Sequence, residues 1–176
     1  LHSTNSVSAQ NKNILLVVTN HSKLGTTGVK TGYYLPEVAH PYYKFIKAGH
    51  NVTFASPKGG HAPMDPKSKD LTDPENKKFF ENKALMKELD NTVALKDIDS
   101  TKFDAIVFAG GHGTMWDFHN SKVLNSLTAK IYERGGVVAA VCHGPAALVN
   151  VKLSNGEYLL KNKSVTGFTN KEEDIV

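Results

Sequence analysis

The only cysteine in the chain, Cys142, is followed at once by a histidine, in Ala-Val-Cys-His-Gly-Pro at 140–145. A thiol beside an imidazole suits nucleophilic catalysis, in which the sulfur attacks and His143 carries the proton. A lone cysteine among valine and alanine is ordinarily an inert core residue. Its position argues otherwise here, because residues 137–141 read as a buried strand and Gly144-Pro145 as the start of a helix. A strand that ends in a nucleophile and turns into a helix is a nucleophile elbow, which holds the side chain proud of the sheet. Amides at that turn, around Gly144, would favour a thiolate and receive an oxyanion.

Three further groups are candidates. Ala-Gly-Gly-His-Gly-Thr at 109–114 follows another apolar run. Paired glycines there make a tight turn, and they also let amides approach a substrate oxygen, so Gly110, Gly111 and His112 are candidate oxyanion or substrate-binding residues. The glycine spacing is not that of a dinucleotide-binding fingerprint, and no cofactor is expected. Glu37, directly after Pro36, falls in a first helical turn, where an acid ordinarily meets the helix dipole. Pointing inward, it would share a proton with the thiol or act as general base. Glu172, Glu173 and Asp174 form an acidic cluster from which one member would orient His143, and spacing alone does not choose among them. The eight histidines show no close-spaced ligand pattern such as His-Glu-x-x-His, so no metal is expected.

The elements that must position these residues follow from hydrophobic patterning. Residues 14–19, 52–55, 105–109 and 137–141 are apolar runs without alternation, the mark of strands covered on both faces of a parallel sheet. Between them lie helical patterns at 36–47, at 74 to about 93 with Asp73 as N-cap and Pro74 in the first turn, and at 121–134, where Val123, Leu124, Leu127 and Ile131 form one stripe. That alternation predicts an α/β fold, a three-layer α/β/α sandwich on a mainly parallel central sheet with right-handed crossovers. Ligands in such sheets bind beyond the carboxyl ends of the strands. Residues 56–72 form a long aperiodic excursion, either functional or packed on the body. Residues 164–168 read as one more strand.

Composition bounds the rest. With 176 residues, 40% of them hydrophobic, the chain suits one domain, over residues 13–176, behind a disordered polar arm at 1–12. No apolar stretch approaches the roughly 20 residues of a membrane span. The net charge of +4 comes from scattered lysines interleaved with acids, a solvated face and not a nucleic-acid site. One cysteine excludes an intramolecular disulfide framework. The expected compartment is the cytoplasm, with export if a signal peptide preceded Leu1.

Taken together, the motifs at 140–145 and 109–114, Lys-Thr-Gly-Tyr-Tyr-Leu-Pro-Glu at 30–37 and Val-Thr-Gly-Phe-Thr at 165–169 resemble the DJ-1/PfpI superfamily, and more narrowly its Hsp31-like branch of glutathione-independent glyoxalases and stress chaperones. Histidine directly after the cysteine is what marks that branch. The resemblance implies a flavodoxin-like, class I glutamine amidotransferase-like sandwich. It implies Cys142 as nucleophile, His143 as acid/base partner, Glu37 as the carboxylate beside the thiol, Glu173 as the triad acid, and amides of Gly111 and His143 as the oxyanion site. The implied activity converts methylglyoxal and similar 2-oxoaldehydes to 2-hydroxy acids without glutathione. The implied partners are a small 2-oxoaldehyde, a second copy of the chain in a homodimer and, on the alternative reading as a holdase chaperone with a redox-sensing cysteine, unfolded proteins. A cysteine peptidase or amidase ranks third. Relatives are expected to continue through further C-terminal strand and helix elements beyond the point matching Val176.

Overall fold

The computed structural model describes residues 10–175; most of the polar arm predicted at 1–12 lies outside them. Five strands, β1 (Asn13–Val17), β2 (Asn51–Ser56), β3 (Val93–Ala94), β4 (Ala105–Phe108) and β5 (Val137–Ala140), form one sheet in the order β3-β2-β1-β4-β5, and every pairing is parallel. The central strand shows why its sequence lacks alternation. Leu16 packs with Val38, Phe54, Phe79 and Leu89 in one core cluster, whereas Leu15 and Val17 pack with Ile106, Phe108, Leu124 and Ile131 in the other. Successive side chains point to opposite faces, and both faces are dry.

Helices cover those faces. Helix α1 (Leu35–Lys47) buries Leu35, Val38 and Ala39, and α5 (Lys122–Glu133), capped by Ser121 at the Leu124 amide, buries Leu124, Leu127 and Ile131. Val123 was predicted on that stripe but is exposed, one residue off the buried face. The helix predicted from 74 to about 93 is two helices, α2 (Pro74–Glu81) and α3 (Lys83–Asp90). Asn82 separates them, because its side-chain oxygen accepts from the Ala84 and Leu85 amides and so starts a new helix instead of continuing the old one. The chain then enters β3, which extends the sheet beyond β2.

Two other expectations are corrected. Strand β5 is not covered on both faces: Val137 is 61% exposed, and among the described residues β5 pairs only with β4. Residues 164–168 form no strand; they run as exposed irregular chain with no ladder partner among the described residues.

The loops at the carboxyl ends of the strands are tied together. Asp117, the last residue of the short helix α4 (Thr114–Asp117), accepts hydrogen bonds from Thr19 Oγ1 and the Asn20 amide, both at 2.8 Å. Asn20 in turn donates to the Gly59 and His61 carbonyls and accepts from the Lys58 amide. The excursion at 56–72 packs on the body: the Tyr33 amide donates to Pro63 O at 2.8 Å, the Asp65 amide donates to Tyr33 O at 2.9 Å, and Thr31 Oγ1 donates to Asp65 at 2.8 Å. These bonds clamp the segment that leads into α1 and therefore into Glu37.

Candidate active site

Cys142 sits between β5 and a short 3-10 turn, Gly144–Ala147, with φ at +58°. A residue other than glycine in that region costs about 1–2 kcal/mol, so the surroundings must hold it there. They do so with backbone bonds on both sides. The Val141 amide donates to Phe108 O, the Gly144 amide to Val141 O at 2.7 Å, and Thr114 Oγ1 to His143 O at 3.0 Å. Gly144 is packed so tightly that an added Cβ would lie 2.4 Å from Phe108 O. Its N–H is already bonded, so Gly144 shapes the turn and has no amide to offer a substrate.

The left-handed turn folds two adjacent side chains toward each other. Cys142 Sγ lies 3.1 Å from His143 Nδ1, while His143 Nε2 lies 2.9 Å from Glu173 Oε1. The imidazole is buried and held between two rings: Phe168 stacks on it at 4.6 Å between centroids, and His112 lies tilted against it at 4.3 Å.

Helix α6 (Asn170–Glu173) explains which acid reaches His143. Thr169 caps this helix in a reciprocal capping box with Glu172, which engages the Glu172 carboxylate, and Asp174 occupies the C-cap. Glu173 is the one whose carboxylate meets the imidazole.

Glu37 approaches the sulfur from the opposite side. Its Oε2 accepts the Gly110 amide at 2.6 Å and its carboxyl hydrogen-bonds Cys142. This proximity is what requires glycine at 110: a Cβ there would lie 2.7 Å from both Cys142 Cβ and Glu37 Oε2. Gly110 N–H is therefore committed to Glu37. Gly111, at φ +99° and packed against Gly32 O, turns its amide to the sulfur, as does His143.

The electrostatics correct one expectation. Burial, followed by the Glu37 carboxylate, pushes the Cys142 thiol up to about 11, and the amides of Gly111 and His143 do not outweigh those effects. Glu37 is itself raised, chiefly by burial. Two acids facing each other in a partly dry site titrate as a pair and retain a shared proton. Burial and the Glu37 carboxylate thus oppose a free thiolate at this short turn. His112, whose pKa burial lowers, is half-buried with Nε2 3.8 Å from Glu173 Oε2.

A cleft of about 310 Å³ opens on Cys142, lined by Val141, Pro145, Thr166, Gly167 and Phe168. A cavity of about 810 Å³ beside Lys23, Lys30 and His61 does not reach Cys142. All four expected catalytic side chains thus meet at one place, together with Gly110, Gly111 and His112. Phe168 and Thr114 join the site without having been expected there, although they lie inside the motifs at 165–169 and 109–114; nothing local reveals that Phe168 covers an imidazole 25 positions earlier.

The DJ-1/PfpI family pattern matches residues 29–176. Glyoxalase 3 of Candida albicans is 36% identical over 168 residues, covering 93% of this chain and 71% of that protein. Glutathione-independent glyoxalase HSP31 of Saccharomyces cerevisiae is 34% identical, covering 94% and 72%. Among solved structures, Rapid Encystment Protein 24 KDa of Francisella tularensis superposes with a TM-score of 0.88 at 45% identity, covering 93% of this chain and 73% of that one. Glyoxalase III of Candida albicans superposes with a TM-score of 0.85 at 35% identity, covering 93% and 71%. With the five-stranded parallel sheet and these relatives, the chain belongs to the DJ-1/PfpI family, beside its Hsp31-like glutathione-independent glyoxalases.

Proposed function

We propose that this protein is a glutathione-independent glyoxalase, converting methylglyoxal and related 2-oxoaldehydes to 2-hydroxy acids with one molecule of water. The observation that carries the reading is the thiol of Cys142 held between two proton carriers, His143 Nδ1 at 3.1 Å and the hydrogen-bonded Glu37 carboxyl. That is the equipment for adding sulfur to an aldehyde and then moving a proton between adjacent carbons.

Cys142 gives its proton to His143 or Glu37 and its sulfur bonds to the aldehyde carbon, producing a hemithioacetal. A base, Glu37 or His143, removes hydrogen from that carbon as a proton, and the electron pair moves toward the neighbouring carbonyl to form an enediol. Reprotonation at the second carbon leaves a thioester of the 2-hydroxy acid. Water then attacks the thioester carbonyl, the carbon–sulfur bond breaks, and the thiol is restored. One carbon is oxidised and its neighbour reduced, so no external hydride carrier enters the balance. The amides of Gly111 and His143, already turned to the sulfur, suit the oxyanions formed at the attacked carbon. Glu173 orients His143 as the third member of the site, and a cleft of about 310 Å³ suits a small substrate.

Measuring hydroxy-acid formation from methylglyoxal without glutathione, in the wild type and in Cys142→Ala, tests this reading. Turnover by the wild type and none by the variant is expected. A folded wild type without turnover overturns it. Suppression of aggregation of an unfolded client that survives Cys142→Ala would then favour a holdase. Light scattering on the eluted protein tests the expected homodimer, and among the described residues no helix is long and apolar enough to cross a membrane.

A further inference from the structure

Three residues about thirty positions apart in sequence, His112 after β4, His143 after β5 and Glu173 in α6, bring their ligand atoms to within 4.8 Å of one another. His143 Nε2 lies 2.9 and 3.2 Å from the two Glu173 oxygens, and His112 Nε2 lies 3.8 Å from Oε2. Around a tetrahedral zinc ion, with bonds of about 2.0–2.1 Å, neighbouring ligand atoms stand roughly 3.3–3.4 Å apart. The observed separations bracket that value, so shifts of under about 1 Å would bring two imidazoles and a carboxylate onto one ion.

We propose that His112, His143 and Glu173 form a binding site for a borderline divalent cation of the zinc type, and that its occupancy switches the cysteine site off. Two nitrogens and one carboxylate select zinc-like ions over magnesium or calcium, which take oxygen ligands. His112 and Glu173 are part-exposed, with side chains 27% and 38% accessible, so the ion can enter from solvent and keep a water as fourth ligand. Cys142 is not a ligand. Its sulfur faces Nδ1, the nitrogen on the other side of the ring from Nε2.

The effect on chemistry follows from imidazole valence. A neutral imidazole that gives its Nε2 lone pair to a metal carries its proton on Nδ1. Nδ1 then cannot accept the proton of Cys142, and Glu173 is drawn from orienting His143 to ligating the ion. Binding is independent of the reaction; the switched-off state rests on the proposed glyoxalase activity.

Titrating the whole chain with Co²⁺ and following its visible absorption, then displacing it with Zn²⁺, tests the site. One ion per chain is expected, with affinity reduced at least about tenfold in His112→Ala, His112→Asn and Glu173→Gln, and unchanged in Cys142→Ala. Absence of binding, binding that ignores all three ligand substitutions, or binding lost with Cys142 overturns the site. In the activity arm, Zn²⁺ should stop wild-type turnover and a chelator restore it. Bound zinc with undiminished turnover overturns the switch. A metal-free wild type without turnover fails the glyoxalase reading instead, and the absorption titration still decides the site.

Discussion

Cys142 Sγ lies 3.1 Å from Nδ1 of the next residue, His143. In a strand, neighbouring side chains point to opposite faces, so this contact exists only because Cys142 has left the strand with φ at +58°. The same turn brings the sulfur against Glu37, and the chemistry of the site follows from that three-way meeting.

Replacing Glu37 by glutamine removes the charge that, after burial, does most to raise the thiol. In the wild type burial, and after it the Glu37 carboxylate, push the thiol up to about 11. The midpoint of the alkylation rate against pH should fall in Glu37→Gln, because the like-charge penalty goes while burial remains. Turnover should drop even so, since a proton carrier is lost. A midpoint that rises would instead show Glu37 acting as a neutral donor to the thiolate.

Gly110→Ala inserts a methyl group where 2.7 Å separates it from both Cys142 Cβ and Glu37 Oε2. Overpacking of this kind costs about 1–3 kcal/mol, and the displaced atoms are the reacting ones. Denaturant unfolding and turnover should both register the change. Full activity at unchanged stability would mean that the loop relaxes freely.

Glu173→Gln should lower kcat roughly 10²-fold or more while leaving alkylation of Cys142 by a small neutral reagent largely intact. The imidazole loses its orienting anion, but the sulfur keeps its position. If kcat holds, the Glu173 contact at 2.9 Å has no catalytic part.

Asp117 is a half-buried acid whose pKa is raised, chiefly by desolvation. A raised folded-state pKa means that the protonated form is favoured on folding. Its contribution is therefore fully present below the unfolded-state value and is lost as pH rises through the folded one. Asp117→Asn removes that pH dependence but offers one acceptor to two donors, Thr19 Oγ1 and the Asn20 amide. A loss of about 1 kcal/mol at neutral pH is expected from chemical unfolding, with a flatter stability profile in the acid range.

Sequence by itself determined the elements whose signals are local. The apolar runs of β1, β2, β4 and β5, the Pro74 helix start and the Cys142 turn were all legible, because periodicity, caps and chain order involve neighbours only. The break at Asn82 was equally local and was overlooked, since asparagine inside a helical pattern reads as a tolerated residue until its side chain is seen capping the next helix. Tertiary structure decided what depends on distant partners. Residues 164–168 have strand-like composition, yet a strand needs a ladder, and here the segment instead delivers Phe168 to the face of His143. The choice of Glu173 over Glu172 and Asp174 came from the capping box, and the inward aim of Glu37 from a glycine 73 positions away. The gathering of His112, His143 and Glu173 has no sequence signature, because ligands about thirty residues apart meet only when the loops after β4 and β5 and the short helix α6 converge on one place.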